Sequence, residues 1–377
     1  MDYLKRLQQS GRVVVKVGTS TLTHQSGKLN LCRMEQLVRQ LTDIQNQGKE
    51  VVLVTSGAVG AGLGRLGISE RPSSIIERQA MAAIGQGLLM QVYEKLFSEY
   101  GQIVAQVLLT RSDIGDRKRY LNARNTILTL LQYRVIPIIN ENDTVATEEL
   151  KIGENDALSA LVAGLIEADL LILLSDVDGL YSADPRKDSA ATLISLVEEV
   201  DPRIRAMAGG AGSAMGSGGM ITKIEAAQMA TAAGVSMVLM NGNEPSNIQK
   251  LFSGEPIGTV FLSANHQVSS RKRWIAYGPQ ATGEIVVDAG AERAIVHQGK
   301  SLLPSGIVAT QGEFEEGDMV RIINTSGLEL ARGLSNYGRD SLERIKGKRS
   351  SDIEQTIGFK PADEVVHRDN LVITAVM

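Results

Sequence analysis

A single cysteine, Cys32, is all the thiol chemistry this chain has. One thiol permits no intrachain disulfide and no cysteine-based zinc site, and His24, His266, His297 and His367 lack the spacing of a ligand set. No stretch approaches the ~18 apolar residues of a membrane span, and the opening Met1-Asp2-Tyr3-Leu4-Lys5 lacks the apolar core of a secretory signal. A soluble protein of the reducing cytoplasm is therefore expected. Charge of one sign is also missing. The net formal charge is −4: residues 1–280 balance at 28 basic and 28 acidic, and residues 281–377 carry 11 basic against 15 acidic. Neither part resembles a basic nucleic-acid binder. A Walker A loop is absent too, because the one Gly-Lys-Ser, Gly299-Lys300-Ser301, has Ala294 where the first glycine belongs.

What is present is the rhythm of a parallel sheet. With 377 residues, 43% of them hydrophobic, the chain can build one large α/β core and a smaller domain. Apolar, β-branched runs recur at 12–17, 51–55, 103–109, 135–139, 170–174 and 235–240. Between them, apolar residues fall at helical spacing, as in 31–44 and 75–96, which predicts a mainly parallel sheet sandwiched by helices. After Phe261 the pattern changes. A polar stretch, 263–273, precedes short alternating runs at 284–288, 319–324 and 328–334 that predict a small β-rich domain. The expected organisation is a domain over 1–262, a linker over 263–280, and a β-rich domain over 281–377 whose core runs to about residue 358.

Two lysines stand where stability alone would not put them. Lys16 interrupts the apolar strand Val13–Val17, where burying an ammonium costs several kcal/mol unless an anion answers it. Lys223 falls in the first turn of a helical segment, against the macrodipole. That segment follows a stretch with six glycines in eleven positions, 209–219, and ends near Gly234. Glycines let backbone amides approach a polyphosphate, and a helix start adds unpaired donors. A bound phosphate would answer both lysines, although a mobile surface loop would share the composition. The Gly62-Leu63-Gly64-Arg65-Leu66-Gly67 motif lies seven residues past the strand end, too late for a dinucleotide turn, so its glycines read as loop and close-packing positions.

Strand ends carry the remaining polar groups, where ligands gather in open α/β sheets. Thr55-Ser56-Gly57 can hold an anion or cap the next helix. Asn140-Glu141-Asn142-Asp143 and Gly153-Glu154-Asn155-Asp156 supply carboxylates to accept from an ammonium and amides to donate to a carboxylate, the pairing that reads a free amino acid. Turn and cap chemistry explains Asn155-Asp156 but leaves the first group over-supplied. Ser175-Asp176-Val177-Asp178-Gly179 follows another strand as an acid-rich turn, open to a nucleotide or magnesium role.

Together, Val14-Val15-Lys16-Val17-Gly18-Thr19-Ser20, Val54-Thr55-Ser56-Gly57-Ala58, Asn140-Glu141-Asn142-Asp143, Gly153-Glu154-Asn155-Asp156, Gly179-Leu180-Tyr181-Ser182-Ala183-Asp184-Pro185 and Gly218-Gly219-Met220-Ile221-Thr222-Lys223 resemble the glutamate 5-kinases, a branch of the amino acid kinase family. The likeness spans residues 10–262, and residues 281 to about 358 look like the PUA domain that bacterial members often carry. The resemblance implies the amino acid kinase fold and phosphorylation by ATP, with Mg²⁺, of the L-glutamate side-chain carboxylate, the first step towards proline. It implies that Lys16 and Lys223 act on the phosphates and that Asp156 organises them. Ser56, Asp143 and Asn155 would bind glutamate. Ser175, Asp176, Ser217, Gly218, Gly219, Met220, Ile221, Thr222 and Lys223 would bind ATP beside Lys16, and no protein ligand is assigned to the magnesium, which the phosphates carry. Feedback inhibition by proline and homo-oligomers are further expectations of the likeness.

No general base is needed for such a reaction, because a carboxylate of ordinary pKa near 4.3 is already an anion at neutral pH. Repulsion is the obstacle: two unit charges 4 Å apart repel by about 4 kcal/mol at an effective dielectric of 20. The rivals are kinases of acetylglutamate, aspartate, carbamate or a nucleoside monophosphate, against which an anion at Asp143 discriminates because only a free ammonium requires it. RNA binding by the C-terminal part is disfavoured by its acidic balance, although Arg339, Arg344, Lys346, Lys348 and Arg349 cluster locally. Asp340 and Glu343 could pair with that cluster on a solvated helix face.

Overall fold

Near-continuous apolar runs are what strands covered on both faces require, and here they form an eight-stranded sheet. The strands are β1 (Arg12–Val17), β2 (Glu50–Val54), β3 (Val104–Leu109), β4 (Ile136–Glu141), β5 (Leu170–Ser175), β6 (Leu196–Val197), β7 (Ser236–Asn241) and β8 (Thr259–Phe261). In this computed structural model the described residues are 2–24, 26–68, 70, 72–146, 154–208, 219–263 and 281–374. They divide into two units, one of residues 1–113 with 117–267, the other of 114–116 with 268–377.

The sheet of the first unit has the order β3-β4-β2-β1-β5-β7-β8-β6. Neighbours from β3 to β7 are parallel, whereas β8 runs antiparallel to β7 and carries β6 with it. The chain runs from β1 to β2 on one side and crosses from β4 to β5 on the other, so the carboxyl end of β1 lies at a topological switch point where ligands of open sheets bind. The two-residue alternation of a strand sends Val13, Val15 and Val17 into the core beneath the helices Leu31–Asn46 and Ile75–Ser98. Val14 and Lys16 therefore face the other layer, where the helix Glu154–Leu165 packs on β1 and on the helix Met220–Ala232. The first of these helices opens on the polar residues Glu154, Asn155 and Asp156, and the second on Met220, directly after Gly219.

The glycines at 62–67 lie on and just past the helix Ala58–Leu66. A methyl at Gly62 would sit 2.0 Å from the Met81 carbonyl oxygen, and one at Gly85 would sit 1.8 Å from that of Ala58. Two helices thus meet backbone to backbone at Gly62 and Gly85 below the Ser56-Gly57 turn, while Gly64 lies against the Gly27 backbone and Gly67 is the left-handed C-cap, so each glycine has a packing or turn role without a dinucleotide.

The second unit is β9 (Gly283–Val287), β10 (Ile307–Gly312), β11 (Met319–Asn324), β12 (Glu329–Leu334) and β13 (Leu371–Ile373), in the order β10-β9-β11-β12-β13. Its own core gathers Ile285, Val287, Ile322, Leu330, Leu342 and Ile353. The basic cluster of this unit is largely engaged: Arg339 pairs with Glu313, Lys346 with Glu343, and Arg344 donates to the Thr356 carbonyl. Glu343 thus serves as the expected partner, whereas Arg339 turns to Glu313 rather than to Asp340. Among the described residues no helix is long and apolar enough to cross a membrane.

Candidate active site

Asp156 is the hinge of the charged groups. It occupies the first turn of the helix Glu154–Leu165 and is 3% exposed, so an ionised carboxylate there needs partners. Lys16 supplies one, its Nζ 2.6 Å from Oδ1, and Lys223 the other, its Nζ 3.2 Å from Oδ2. The Thr222 hydroxyl also donates to Oδ2 at 3.0 Å. Both lysines are buried, Lys16 between its sheet partners Val54 and Leu173, and Lys223 within the helix Met220–Ala232. Burial pushes the Lys16 ammonium below the ordinary lysine range even though Asp156 opposes the shift. Burial alone would raise the Asp156 carboxyl, but Lys16 and then Lys223 hold it below the usual carboxylate range. Two ammoniums and one carboxylate leave a buried excess of one positive charge.

The beginning of the helix Met220–Ala232 strengthens that field. Its N-cap is Gly219, to whose carbonyl the Thr222 amide donates at 3.2 Å, and the positive end of the helix dipole there favours an anion. Met220 is half-buried, Ile221 exposed and Thr222 buried. Ser217 and Gly218, and the rest of the glycine stretch before Gly219, lie outside the described residues.

A second, uncharged network lies at the ends of β2 and β4. Gly57 adopts φ +96°, a left-handed conformation that glycine takes at little cost, and this turns the chain after Ser56 into the helix Ala58–Leu66. Gly57 itself is the N-cap, so Ser56 does not cap that helix; its Oγ instead accepts from the Asn155 amide at 2.6 Å. Asn155 Nδ2 also meets the Thr55 carbonyl at 3.0 Å and Asn140 Oδ1 at 3.1 Å. Asn140 in turn donates to Gln86 Oε1 at 2.8 Å, and Tyr93 meets the Thr55 hydroxyl at 2.9 Å. From the sequence alone no role falls to Gln86 or Tyr93, and Thr55 and Asn140 enter only within motifs. Gln86 and Tyr93 sit mid-helix, far along the chain from their partners, with no local signature.

Asp143 follows β4 in a turn closed by Val145 and Ala146 donating to the Asn142 carbonyl. Burial raises its carboxyl above the ordinary range, and no cation contributes to the shift. An anion that no described residue answers is suited to an ammonium from outside the chain. Ser175 ends β5, buried, and donates to Asp176 Oδ1 at 3.1 Å. Asp176 is exposed and still acts through space on Lys16. Asp178 next to it is held by Asn241 at 2.7 Å, so the ends of β5 and β7 are tied together.

The donor set suits a polyphosphate: two buried ammoniums share one carboxylate, and a methyl at Gly18 would sit 3.6 Å from the Lys16 ammonium. Among the described residues no three His, Cys, Asp or Glu side chains converge as a metal site.

The amino acid kinase family profile matches residues 11–241 of this chain, and the PUA domain profile matches residues 283–357. A protein of Moorella thermoacetica described as a glutamate 5-kinase is 55% identical over 367 residues, covering 97% of both chains. A protein of the same description from Caldanaerobacter subterraneus is 55% identical over 362 residues, covering 96% of this chain and 97% of its own length. The UMP kinase of Bacillus anthracis is 16% identical, with a TM-score of 0.46 over 67% of this chain and 96% of its own.

Proposed function

Because the chain belongs to the amino acid kinase family, and within it groups with the glutamate 5-kinases while carrying a PUA domain, we propose that the Lys16–Asp156–Lys223 cluster transfers the γ-phosphoryl group of ATP to L-glutamate. The chain is a kinase of proline biosynthesis, and its family uses ATP. The observation that carries the assignment of roles is the buried net positive charge where β1 meets the two helices.

Lys16 and Lys223 bind the phosphates and stabilise charge on the oxygens around phosphorus during in-line attack. Asp156 holds both ammoniums in place and opposes the loss of the Lys16 proton that burial favours. A glutamate side-chain oxygen forms the new bond to phosphorus, the bond from phosphorus to the bridging oxygen breaks, and ADP leaves, giving L-glutamyl 5-phosphate. The acceptor is ionised at neutral pH, so no side chain has to remove a proton. Mg²⁺, carried by the phosphates, would neutralise further charge there. Gly219, Met220, Ile221 and Thr222 line the phosphate side, with Ser217 and Gly218 before them, while Ser175 and Asp176 contact the nucleotide.

Ser56, Asn155 and Asp143 bind glutamate. The unanswered Asp143 carboxylate takes the α-ammonium, which favours glutamate over an N-acetylated acceptor. Proline, which shares an α-ammonium and α-carboxylate with glutamate, would compete for the same groups, and the kinase unit would assemble into homo-oligomers in the cytoplasm. The acidic balance of residues 281–377 disfavours RNA as a partner. ADP release with L-glutamate, ATP and Mg²⁺, beside N-acetylglutamate, tests the reading, with hydroxylamine trapping the acyl phosphate as a hydroxamate. Turnover of N-acetylglutamate in preference to glutamate would overturn it.

A further inference from the structure

We propose that Gln86, on the helix Ile75–Ser98, is a positioning residue for the glutamate subsite: through Asn140 it holds Asn155 with its carbonyl oxygen available to substrate. The proposal rests on the glutamate-kinase reading above. An asparagine side chain fits its space almost equally well with oxygen and nitrogen exchanged, so hydrogen-bond partners choose the orientation. The choice decides recognition. An amide oxygen accepts from an ammonium, whereas an amide N–H₂ in its place repels one.

The direction of the amide chain is fixed by backbone groups that cannot exchange roles. The Thr55 carbonyl can only accept, so the Asn155 atom 3.0 Å from it is nitrogen. The Glu141 amide can only donate, so the Asn140 atom 2.9 Å from it is oxygen. That oxygen also receives Asn155 Nδ2 at 3.1 Å. Asn140, 2% exposed, must therefore turn its nitrogen towards an acceptor, and Gln86 Oε1 at 2.8 Å is that acceptor. All three amides then run one way. At the Asn155 end, Oδ1 is buried without a hydrogen-bond partner among the described residues. The Asp143 carboxylate, raised by burial and by no charge, has the same need.

Removing the Gln86 oxygen leaves Asn140 with a buried donor that has lost its acceptor. If Asn140 turned over, it would present N–H₂ to the Glu141 amide and to Asn155, so the disturbance passes to Asn155 in either case. Among the described residues Gln86 bonds to Asn140 and makes no hydrogen bond to Lys16, Lys223 or Asp156, so the effect should fall on one substrate.

The experiment is calorimetric binding of L-glutamate, and separately of ATP with Mg²⁺, to the full-length chain. Wild type, Gln86→Leu, Gln86→Met, Asn155→Ala and the Gln86→Leu/Asn155→Ala double variant are compared. Leucine, methionine and glutamine differ little in helix propensity, so both replacements suit this mid-helix position. Gln86→Leu and Gln86→Met are expected to weaken glutamate on the order of tenfold, the scale of a lost buried hydrogen bond, with ATP affinity changed less than about twofold. In the Asn155→Ala background, Gln86→Leu should add no further loss, because an effect relayed through Asn155 vanishes with it. Unchanged glutamate affinity, an equal loss for both substrates, full additivity, or failure of both variants to fold at 25 °C would each overturn the proposal. Wild type that binds no glutamate would instead sink the functional reading beneath it.

Discussion

Replacing Asp156 by asparagine removes one negative charge and leaves two ammoniums buried side by side. At 2.6 and 3.2 Å the carboxylate attracts each ammonium by about 5–6 kcal/mol at an effective dielectric of ~20. The desolvation cost of each buried ion consumes several kcal/mol of that gain. Measured losses on breaking a buried pair, about 3–5 kcal/mol, give the better scale. For a unit of this size each kcal/mol shifts Tm by roughly 2–4 °C, so Asp156→Asn without ligand should melt about 6–20 °C below wild type. Saturating ATP should recover part of the loss, because the triphosphate now answers two uncompensated cations and binds only the folded state. Turnover should nevertheless fall steeply. Without Asp156, burial and Lys223 both push the Lys16 proton off, so the residual activity should decline as pH rises, at lower pH than in wild type. The assays are thermal melts with and without ATP and kcat over pH. An unchanged melting point without nucleotide, or a stability loss that ATP leaves untouched, would refute the charge argument.

Lys16→Ala and Lys223→Ala should lower kcat by several orders of magnitude while costing little stability, since each removes a buried cation whose desolvation offset its attraction to Asp156; wild-type turnover in either purified variant would contradict this. Raising of the Asp143 carboxyl by burial means that kcat/KM for glutamate should fall with acidification at a pH above the ordinary carboxylate value of 3.8. The same shift makes ionised Asp143 a cost to folding above that window, fading as pH falls through the folded pKa, so Asp143→Asn should bind glutamate poorly yet melt no earlier than wild type at neutral pH. Gly85→Ala puts a methyl 1.8 Å from the Ala58 carbonyl. The two helices must separate, and a loss of about 1–3 kcal/mol or more in denaturant melts is expected, together with weaker glutamate binding because the Ser56 turn rides on that contact.

The strands were legible because doubly covered parallel strands leave few polar residues inside, and β1, β5 and β7 read as apolar runs broken mainly at Lys16 and Ser236. The Lys16 break was itself informative, since an uncompensated ammonium in a strand demands an anion. Short reversals such as β6 and β8, of two and three residues, are too brief for a period to register. The bracing role of the helix Ile75–Ser98 was illegible for a different reason. Its apolar spacing marks a helix but not these contacts, in which Gly85 meets one helix, Tyr93 a hydroxyl at the end of β2, and Gln86 an amide at the end of β4. Each is an ordinary helix residue whose partner lies tens of positions away in the sequence. Ser56 was ambiguous between cap and ligand until the left-handed Gly57 took the cap position and freed the hydroxyl for Asn155.

Asn155 and Asp156 are adjacent in sequence, about 3.8 Å apart at their Cα atoms, yet they serve different networks. Successive residues of a helix point about 100° apart, so one turn sends Asn155 to the ends of β2 and β4 and Asp156 to β1 and the helix Met220–Ala232. The amide network leaves one acceptor unpartnered among the described residues, Asn155 Oδ1, which suits an ammonium; the charged cluster offers a net cation, which suits a phosphate. On the proposed reading, a molecule with an ammonium at one end and a nucleophilic carboxylate at the other would be held by the first set while its far end is drawn towards the second. The short separation of these two residues makes the geometry rigid, because neither subsite can shift without moving the same helical turn.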